Sequence, residues 1–64
     1  MKSLKEIHEI INRMPMGLFN EIIDAEYDSE SLDYTVARPA YFRLLKALDK
    51  AGLTWEEWKA WDNE

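Results

Sequence analysis

The chain combines a length of 64 residues with a complete absence of cysteine, and this combination constrains its fold more than any motif does. A chain this short buries only about 60% of the surface that its unfolded form exposes. Without cysteine, neither disulfide bonds nor thiolate metal sites can compensate for a small core. We therefore expect one helical domain over residues 1–64, with a net stability of about 3–5 kcal/mol, in a reducing, cytoplasmic compartment.

The first half of the chain has the apolar spacing of two helices. Ser3 and Glu6 form a capping-box pattern, in which each side chain accepts a hydrogen bond from the other residue's backbone N–H. The apolar residues of the first predicted helix share one arc of a helical wheel: Leu4, Ile7, Ile10, Ile11 and Met14. After a break at residues 14–17, a second arc holds Leu18, Phe19, Ile22 and Ile23. Residues 27–35 keep no sustained period, which predicts a loop.

The second half predicts two further helices. The apolar arc of the third helix holds Tyr41, Leu44, Leu45 and Leu48. Pro39 suits the first turn of this helix, whose start we place between Thr35 and Pro39, and Gly52 suits the left-handed position after its end. Thr54 and Glu57 form a second capping box, with Leu53 and Trp58 spaced as a hydrophobic staple. The predicted fold is all-α, a compact bundle of three to four short helices with connections of about 2–9 residues.

Charge is distributed unevenly along the chain, whose net charge is −5. Residues 14–37 contain six acidic and no basic residues, whereas residues 38–53 contain four basic residues and one acidic residue. We define the acidic stripe as Glu21, Asp24 and Asp28, and the basic stripe as Arg43, Lys46 and Lys50. Each stripe lies opposite the apolar arc of its own helix, so both are expected to face outward.

These stripes allow several interpretations. In the simplest one, each stripe is an ordinary solvated face of its helix. In a functional interpretation, the acidic stripe meets a basic surface on a partner protein, where charge complementarity raises association rate and specificity. A homodimer, joining the acidic stripe of one copy to the basic stripe of another, is a related possibility. Alternatively, the basic stripe touches phosphates in a larger assembly. Because carboxylates spaced i and i+3 or i+4 lie about 5–6 Å apart, a weak DNA mimic is a further alternative.

Three tryptophans lie within seven residues near the end of the chain: Trp55, Trp58 and Trp61. The staple predicts that Trp58 is buried. Each tryptophan carries about 200 Å² of contact area, so a core this small has difficulty covering all three. Trp55 and Trp61 are therefore either core residues or partly exposed anchors for a protein partner, since tryptophan is enriched in binding hot spots. Tyr27 and Tyr34 allow the same two interpretations, with burial in the core favoured.

Patterns of catalytic or metal-binding chemistry are weak. His8 is the only histidine, and a single imidazole does not build a zinc site, so we interpret it as a surface residue. The alternating acids from Asp24 to Glu30 lack the glycine and the terminal glutamate of a calcium loop. No activated nucleophile and no glycine-rich phosphate loop is present. We predict no catalytic, cofactor-binding or metal-ligating residue, and no enzymatic activity.

The segment from Leu44 to Glu57 consists of a helix, a glycine stop and a capping box, and it resembles the opening helix–turn–helix of repressor-type DNA-binding domains. In that family, the helix that follows enters the major groove. Here the chain ends where that recognition helix would be needed, and residues 54–64 carry a net charge of −3. The resemblance therefore transfers no DNA-binding function to this chain.

The sequence predicts a small acidic protein that binds another protein and thereby inhibits, recruits or regulates it. Standalone acidic domains of this size are typical of accessory proteins, including those of phages and mobile elements. No apolar run approaches the roughly 18 residues of a membrane span, and the charged segment 1–13 excludes the core of a signal peptide. The net charge makes direct nucleic-acid binding the less favoured alternative.

Overall fold

A computed structural model describes all 64 residues and contains four α-helices and no strand. The helices are α1 (Leu4–Arg13), α2 (Met16–Ser29), α3 (Tyr34–Ala51) and α4 (Trp55–Asp62). The predicted all-α bundle is confirmed. None of the four helices has the length and apolar character needed to cross a bilayer.

The helices α2 and α3 form an antiparallel hairpin, and α1 and α4 pack against each other and against one end of it. The helix α3 has 18 residues and is about 27 Å long at a rise of 1.5 Å per residue. The helices α1 and α4 have only 10 and 8 residues. The hairpin therefore extends beyond α1 and α4, in a molecule measuring 35 × 21 × 16 Å.

The core lies where all four helices meet, at one end of the hairpin. It is a single cluster of nine buried residues, namely Ile7, Ile11, Ile22, Ala25, Leu44, Ala47, Leu48, Leu53 and Trp58. Trp58 is fully buried, as the staple predicted, and is the largest side chain in the cluster. The cluster has no member between Ala25 and Leu44, so the far end of the hairpin contributes nothing to this core.

The ends of the helices follow the predicted local signals. Both capping boxes are present, at Ser3–Glu6 and at Thr54–Glu57. Gly52 has a φ of 78°, a left-handed conformation that glycine adopts without the steric cost of a Cβ. The backbone N–H of Leu53 then donates to the carbonyl oxygen of Leu48 at 3.0 Å, which closes the end of α3.

The start of α3 lies one residue before the predicted range of Thr35 to Pro39, and the predicted placement of Pro39 in the first turn was wrong. The helix begins at Tyr34 because Asp33 caps it, accepting a hydrogen bond of 3.0 Å from the backbone N–H of Thr35. Pro39 consequently lies inside the helix and not in its first turn. A proline there has no N–H for the carbonyl of Thr35, four residues earlier, so the helix continues with one hydrogen bond missing.

The loop predicted for residues 27–35 was also wrong, because most of these residues are helical. The helix α2 continues to Ser29, whose hydroxyl donates to the carbonyl oxygen of Glu26 at 2.7 Å. The connection to α3 comprises only residues 30–33. The apolar period stops at Tyr27 because this part of the hairpin has no core to face, while the backbone hydrogen bonds of the helix persist.

The apolar arc predicted for α3 is rotated relative to the buried face. Ala40 and Ala47 are fully buried beside Leu44 and Leu48, whereas Tyr41 is exposed. Small alanine side chains at these positions, together with Ala25 of α2, allow the two backbones of the hairpin to approach closely. Two other residues of the predicted arcs, Leu4 and Ile23, are also partly exposed.

Candidate protein-interaction surfaces

The two charged stripes lie side by side along the hairpin and pair with each other. Arg43 Nη2 lies 3.3 Å from Asp28 Oδ2, and Lys50 Nζ lies 3.9 Å from Glu21 Oε1. Both stripes are solvent-exposed, as expected, but the antiparallel hairpin makes them neighbours. Much of their charge is therefore compensated within the chain, and their role in partner binding stays a prediction.

The middle residues of the stripes, Asp24 and Lys46, are exposed and form no ion pair. Each stripe therefore presents one uncompensated charge. A single carboxylate or ammonium group in water contributes little to the affinity of an interface. The acidic stripe is thus a weaker candidate for a docking surface than its sequence pattern suggested.

The three tryptophans of α4 differ in their burial. Trp58 is enclosed, whereas Trp55 and Trp61 are half-buried against the edge of the core. Trp61 makes an edge-to-face contact with Phe19, with ring centroids 6.1 Å apart. It also borders a shallow apolar groove of about 350 Å³ with Met14 and Met16. Trp55 and Trp61 thus contribute to the core and keep accessible edges, and their role as anchors stays a prediction.

A polar network joins α2 to α4 at the border of the core. Glu26 accepts hydrogen bonds from Trp58 Nε1 at 3.1 Å and from Lys59 Nζ at 3.0 Å. The hydrogen bond with Glu26 raises the pKa of Lys59. Lys59 Nζ also lies 4.8 Å from the ring centroid of Trp55. Glu26 is thereby occupied in holding α4 against α2.

His8 lies at the surface of α1, as predicted, and its ring forms a hydrogen bond with the carboxylate of Glu64. Both side chains are substantially exposed. This contact brings the last residue of the chain to the first helix, next to the interface between α1 and α4. It is a surface contact between two chain segments and includes no further titratable group.

A large exposed apolar surface lies at the far end of the hairpin. We call it the hairpin-end surface, and its members are Tyr27, Leu32, Tyr34, Val36, Tyr41 and Phe42. They lie on more than one face of the hairpin, since Tyr34, Tyr41 and Phe42 line one groove whereas Tyr27 and Val36 line another. The expectation that Tyr27 and Tyr34 belong to the core was wrong, because this end of the hairpin lies outside the core. Leu32, Val36 and Phe42 were not singled out from the sequence, in which they follow no amphipathic period.

The apolar face of α3 continues from the core into this surface. Four residues spaced three, four and seven positions apart lie on nearly the same side of this helix: Leu48, Leu45, Tyr41 and Tyr34. Leu48 is 1% exposed, Tyr41 46% and Tyr34 68%, with Leu45 half-buried. Exposure rises along this face because α4 is too short to cover it.

A groove of about 370 Å³ lies on this face, lined by Ser29, Tyr34, Ala37, Arg38, Tyr41 and Phe42. Arg38 Nη1 donates a hydrogen bond of 2.8 Å to the hydroxyl of Tyr34. Its guanidinium carbon lies 5.7 Å from the centroid of the same ring. The rings of Tyr41 and Phe42 contact edge to face, with centroids 5.8 Å apart.

Arg38 is the only charged residue that lines the groove, and it forms no ion pair. The groove thus offers aromatic surface for an apolar side chain, and a planar cation with free donors for a carboxylate. A helical wheel of α3 could have indicated this groove, if it had been followed beyond the residues that a small core can bury. Tyr34, Arg38 and Tyr41 share the stripe that carries Leu45 and Leu48.

Comparisons of the chain with protein-family models, curated proteins and solved structures gave no match.

Proposed function

We propose that this chain is a non-enzymatic protein-binding module that docks a partner protein on its hairpin-end surface and thereby inhibits, recruits or regulates that partner. The observation that carries the proposal is the exposure of six large apolar side chains at an end of the fold that lacks a core. Exposed apolar side chains scattered singly are ordinary, but contiguous patches mark interaction sites, and Tyr34, Tyr41 and Phe42 line one groove together.

The area of the hairpin-end surface supports this proposal. The three aromatic residues that line one groove, Tyr34, Tyr41 and Phe42, together expose on the order of 350 Å², taking about 200 Å² for a fully exposed aromatic residue. The largest apolar patch of a typical monomer is about 300–600 Å². A standard protein–protein interface buries about 800 Å² on each partner. The face with Tyr34, Tyr41 and Phe42 therefore has the size of the largest apolar patch on a typical monomer and could form the centre of one side of an interface.

The chemistry of the surface supports the same proposal. Tyrosine, phenylalanine and arginine are enriched in interfaces. Tyrosine buries a large area at a low cost in side-chain entropy, and the planar guanidinium group of arginine carries five hydrogen-bond donors. Two tyrosines and one phenylalanine of the hairpin-end surface, Tyr34, Tyr41 and Phe42, line the same groove as Arg38. In contrast, both candidate charged stripes are partly neutralised by the pairs Asp28–Arg43 and Glu21–Lys50.

A photo-crosslinking experiment compares the three candidate surfaces directly. Benzoylphenylalanine replaces Phe42 in the hairpin-end surface, Glu21 in the acidic stripe or Lys46 in the basic stripe, and each variant is irradiated in cells of the native host. We expect one discrete protein adduct from position 42. This adduct should be lost when Tyr41→Ser is added, and positions 21 and 46 should give none.

The other outcomes of this experiment contradict the proposal. A protein adduct from position 21 alone would assign docking to the acidic stripe. A nucleic-acid adduct from position 46 would favour the alternative of a nucleic-acid-associated assembly protein. The absence of any adduct at position 42, with all three variants folded as judged by circular dichroism, would remove the hairpin-end surface as a docking site.

A further inference from the structure

We propose that the occupant of the hairpin-end surface is an amphipathic helix of another protein, with an Asp or Glu flanked by apolar residues that pairs with Arg38. This inference rests on the proposed function, and it specifies the chemistry of the partner. Three observations carry it: the unpaired cation in the groove, the direction of the uncovered face, and the position of Arg38 within that face.

The first observation is the charge in the groove. Arg38 lies among aromatic rings and has no carboxylate partner, although the chain carries 13 acidic residues. Docking of a purely apolar partner would remove water from the guanidinium without replacing its hydrogen bonds, which is costly. A partner carboxylate supplies those bonds, and the planar guanidinium can donate to both of its oxygens.

The second observation is the direction of the uncovered face. At the core end of α3, the face that includes Leu48 packs against α4, and Leu48 shares a buried cluster with Trp58. From Tyr34 to Tyr41 the same face has no covering helix, over about 10 Å at the rise of an α-helix. A partner helix of two to three turns laid there would continue the layer that α4 begins. Its apolar residues at i and i+3 or i+4 would then contact the aromatic rings.

The third observation argues against a second copy of this chain as the occupant. Arg38 lies at the middle of the stripe between Tyr34 and Tyr41. A two-fold contact is built from the same patch on both copies. A symmetric α3–α3 pairing centred on this stripe would therefore oppose Arg38 to itself, and juxtaposed like charges disfavour an interface.

The test uses a displayed library of stabilised 14-residue helical peptides, randomised at four positions of one face. The library is selected separately against the wild-type chain, Arg38→Glu and Lys46→Glu. Lys46→Glu is the matched control, because it makes the same charge change on an exposed residue of the same helix. Selected peptides are then synthesised with Glu, Gln or Lys at the central position, and their Kd values are measured by fluorescence anisotropy.

We expect wild-type and Lys46→Glu to select an acidic residue flanked by apolar residues three or four positions away. Arg38→Glu should weaken binding of these peptides by at least about tenfold. The peptide with central Lys should bind Arg38→Glu better than it binds the wild type. Phe42→Ser should abolish binding of every peptide.

The outcomes that contradict the inference differ from those that contradict the proposed function. Peptides that need Phe42 but show no acidic preference, and are insensitive to Arg38→Glu, would overturn the carboxylate inference and leave the docking surface standing. Failure to select any peptide that requires Phe42 would count against both. A dimer of the purified chain in analytical ultracentrifugation, dissociated by Phe42→Ser, would assign the surface to a second copy and overturn the partner helix.

Discussion

The carboxylate of Glu57 accepts a hydrogen bond of 2.8 Å from the backbone N–H of Lys2, which lies 55 residues earlier in the chain. The other carboxylate oxygen accepts a hydrogen bond of 2.8 Å from the backbone N–H of Thr54. One side chain therefore caps its own helix and binds the segment that precedes α1. Glu57 is only 2% exposed, and it belongs to the contact between the first and last helices.

The first prediction concerns stability at acid pH. The hydrogen bond from Lys2, followed by that from Thr54, lowers the pKa of Glu57 from 4.5 to about 2. A carboxyl group with a lowered folded-state pKa stabilises the fold above its unfolded-state pKa. We expect the free energy of unfolding to decrease as the pH falls from about 4.5 toward about 2, because the unfolded chain then binds a proton that the folded chain does not.

Urea denaturation at a series of pH values measures this effect. Glu57→Gln should lower the stability at neutral pH and flatten its decline below pH 4.5. The control is Glu56→Gln, on the same helix but exposed, which should leave the decline unchanged. An equally steep acid decline in Glu57→Gln would show that another carboxylate is responsible.

The second prediction concerns Trp58, whose ring fills the core and whose Nε1 donates to Glu26. Trp58→Ala should cost about 3–5 kcal/mol, which is close to the whole stability expected of a domain this size. We therefore expect this variant to be unfolded by circular dichroism. Trp58→Phe should fold but lose stability, because Glu26 loses one of its two donors.

A matched comparison separates the effect of burial on stability from the effect of losing an indole ring. Trp55→Phe removes the same group from a half-buried position in the same helix. Urea denaturation should show a clearly smaller loss for Trp55→Phe than for Trp58→Phe. Equal losses of stability would contradict the difference in burial between Trp55 and Trp58.

The third prediction concerns the pairing of the charged stripes. A double-mutant cycle with Asp28→Asn and Arg43→Gln should give a coupling energy below about 1 kcal/mol, because exposed ion pairs are screened by water and salt. The coupling should decrease further in 0.5 M salt, where the Debye length is only about 4 Å. The control is the same cycle with Lys46→Gln, which has no ion-pair partner and should show no coupling. A coupling above about 2 kcal/mol would contradict an exposed pair.

The fourth prediction concerns Pro39, which interrupts the hydrogen bonds inside α3. Pro39→Ala restores the N–H that the carbonyl of Thr35 lacks, which is worth up to about 3 kcal/mol in a helix interior. Proline also restricts the unfolded chain, which offsets about 0.4–1 kcal/mol of this gain. We expect a higher thermal midpoint for Pro39→Ala. A lower midpoint would show that the proline ring makes a packing contribution larger than the missing bond.

Much of the fold could be predicted because its signals are local. The pairs Ser3–Glu6 and Thr54–Glu57 act within one turn of a helix, so their spacing alone indicated where α1 and α4 begin. Prediction failed where two local signals competed. Pro39 suggested a first turn, but the capping carboxylate of Asp33 starts the helix earlier, and a helix tolerates one missing hydrogen bond when its other bonds are made.

The candidate site was less predictable than the fold, because exposure is not a local property. Tyr34 and Tyr41 share a stripe with Leu45 and Leu48, and a helical wheel assigns all four to the same face. The two tyrosines are exposed and the two leucines are at least half-buried, because α4 ends before it can cover the far half of α3.

Sequence patterns correctly predicted that the chain is helical, where α1 and α4 begin, where α3 ends and that Trp58 is buried. These features depend on caps, a glycine and a staple, whose interactions join residues within a few positions of each other. The partial charge compensation between the acidic and basic stripes, and the position of the unpaired Arg38 in an aromatic groove, became visible only once the helices were seen packed together. Both depend on which helices lie side by side and how far each extends, and short-range spacing carries no information about either.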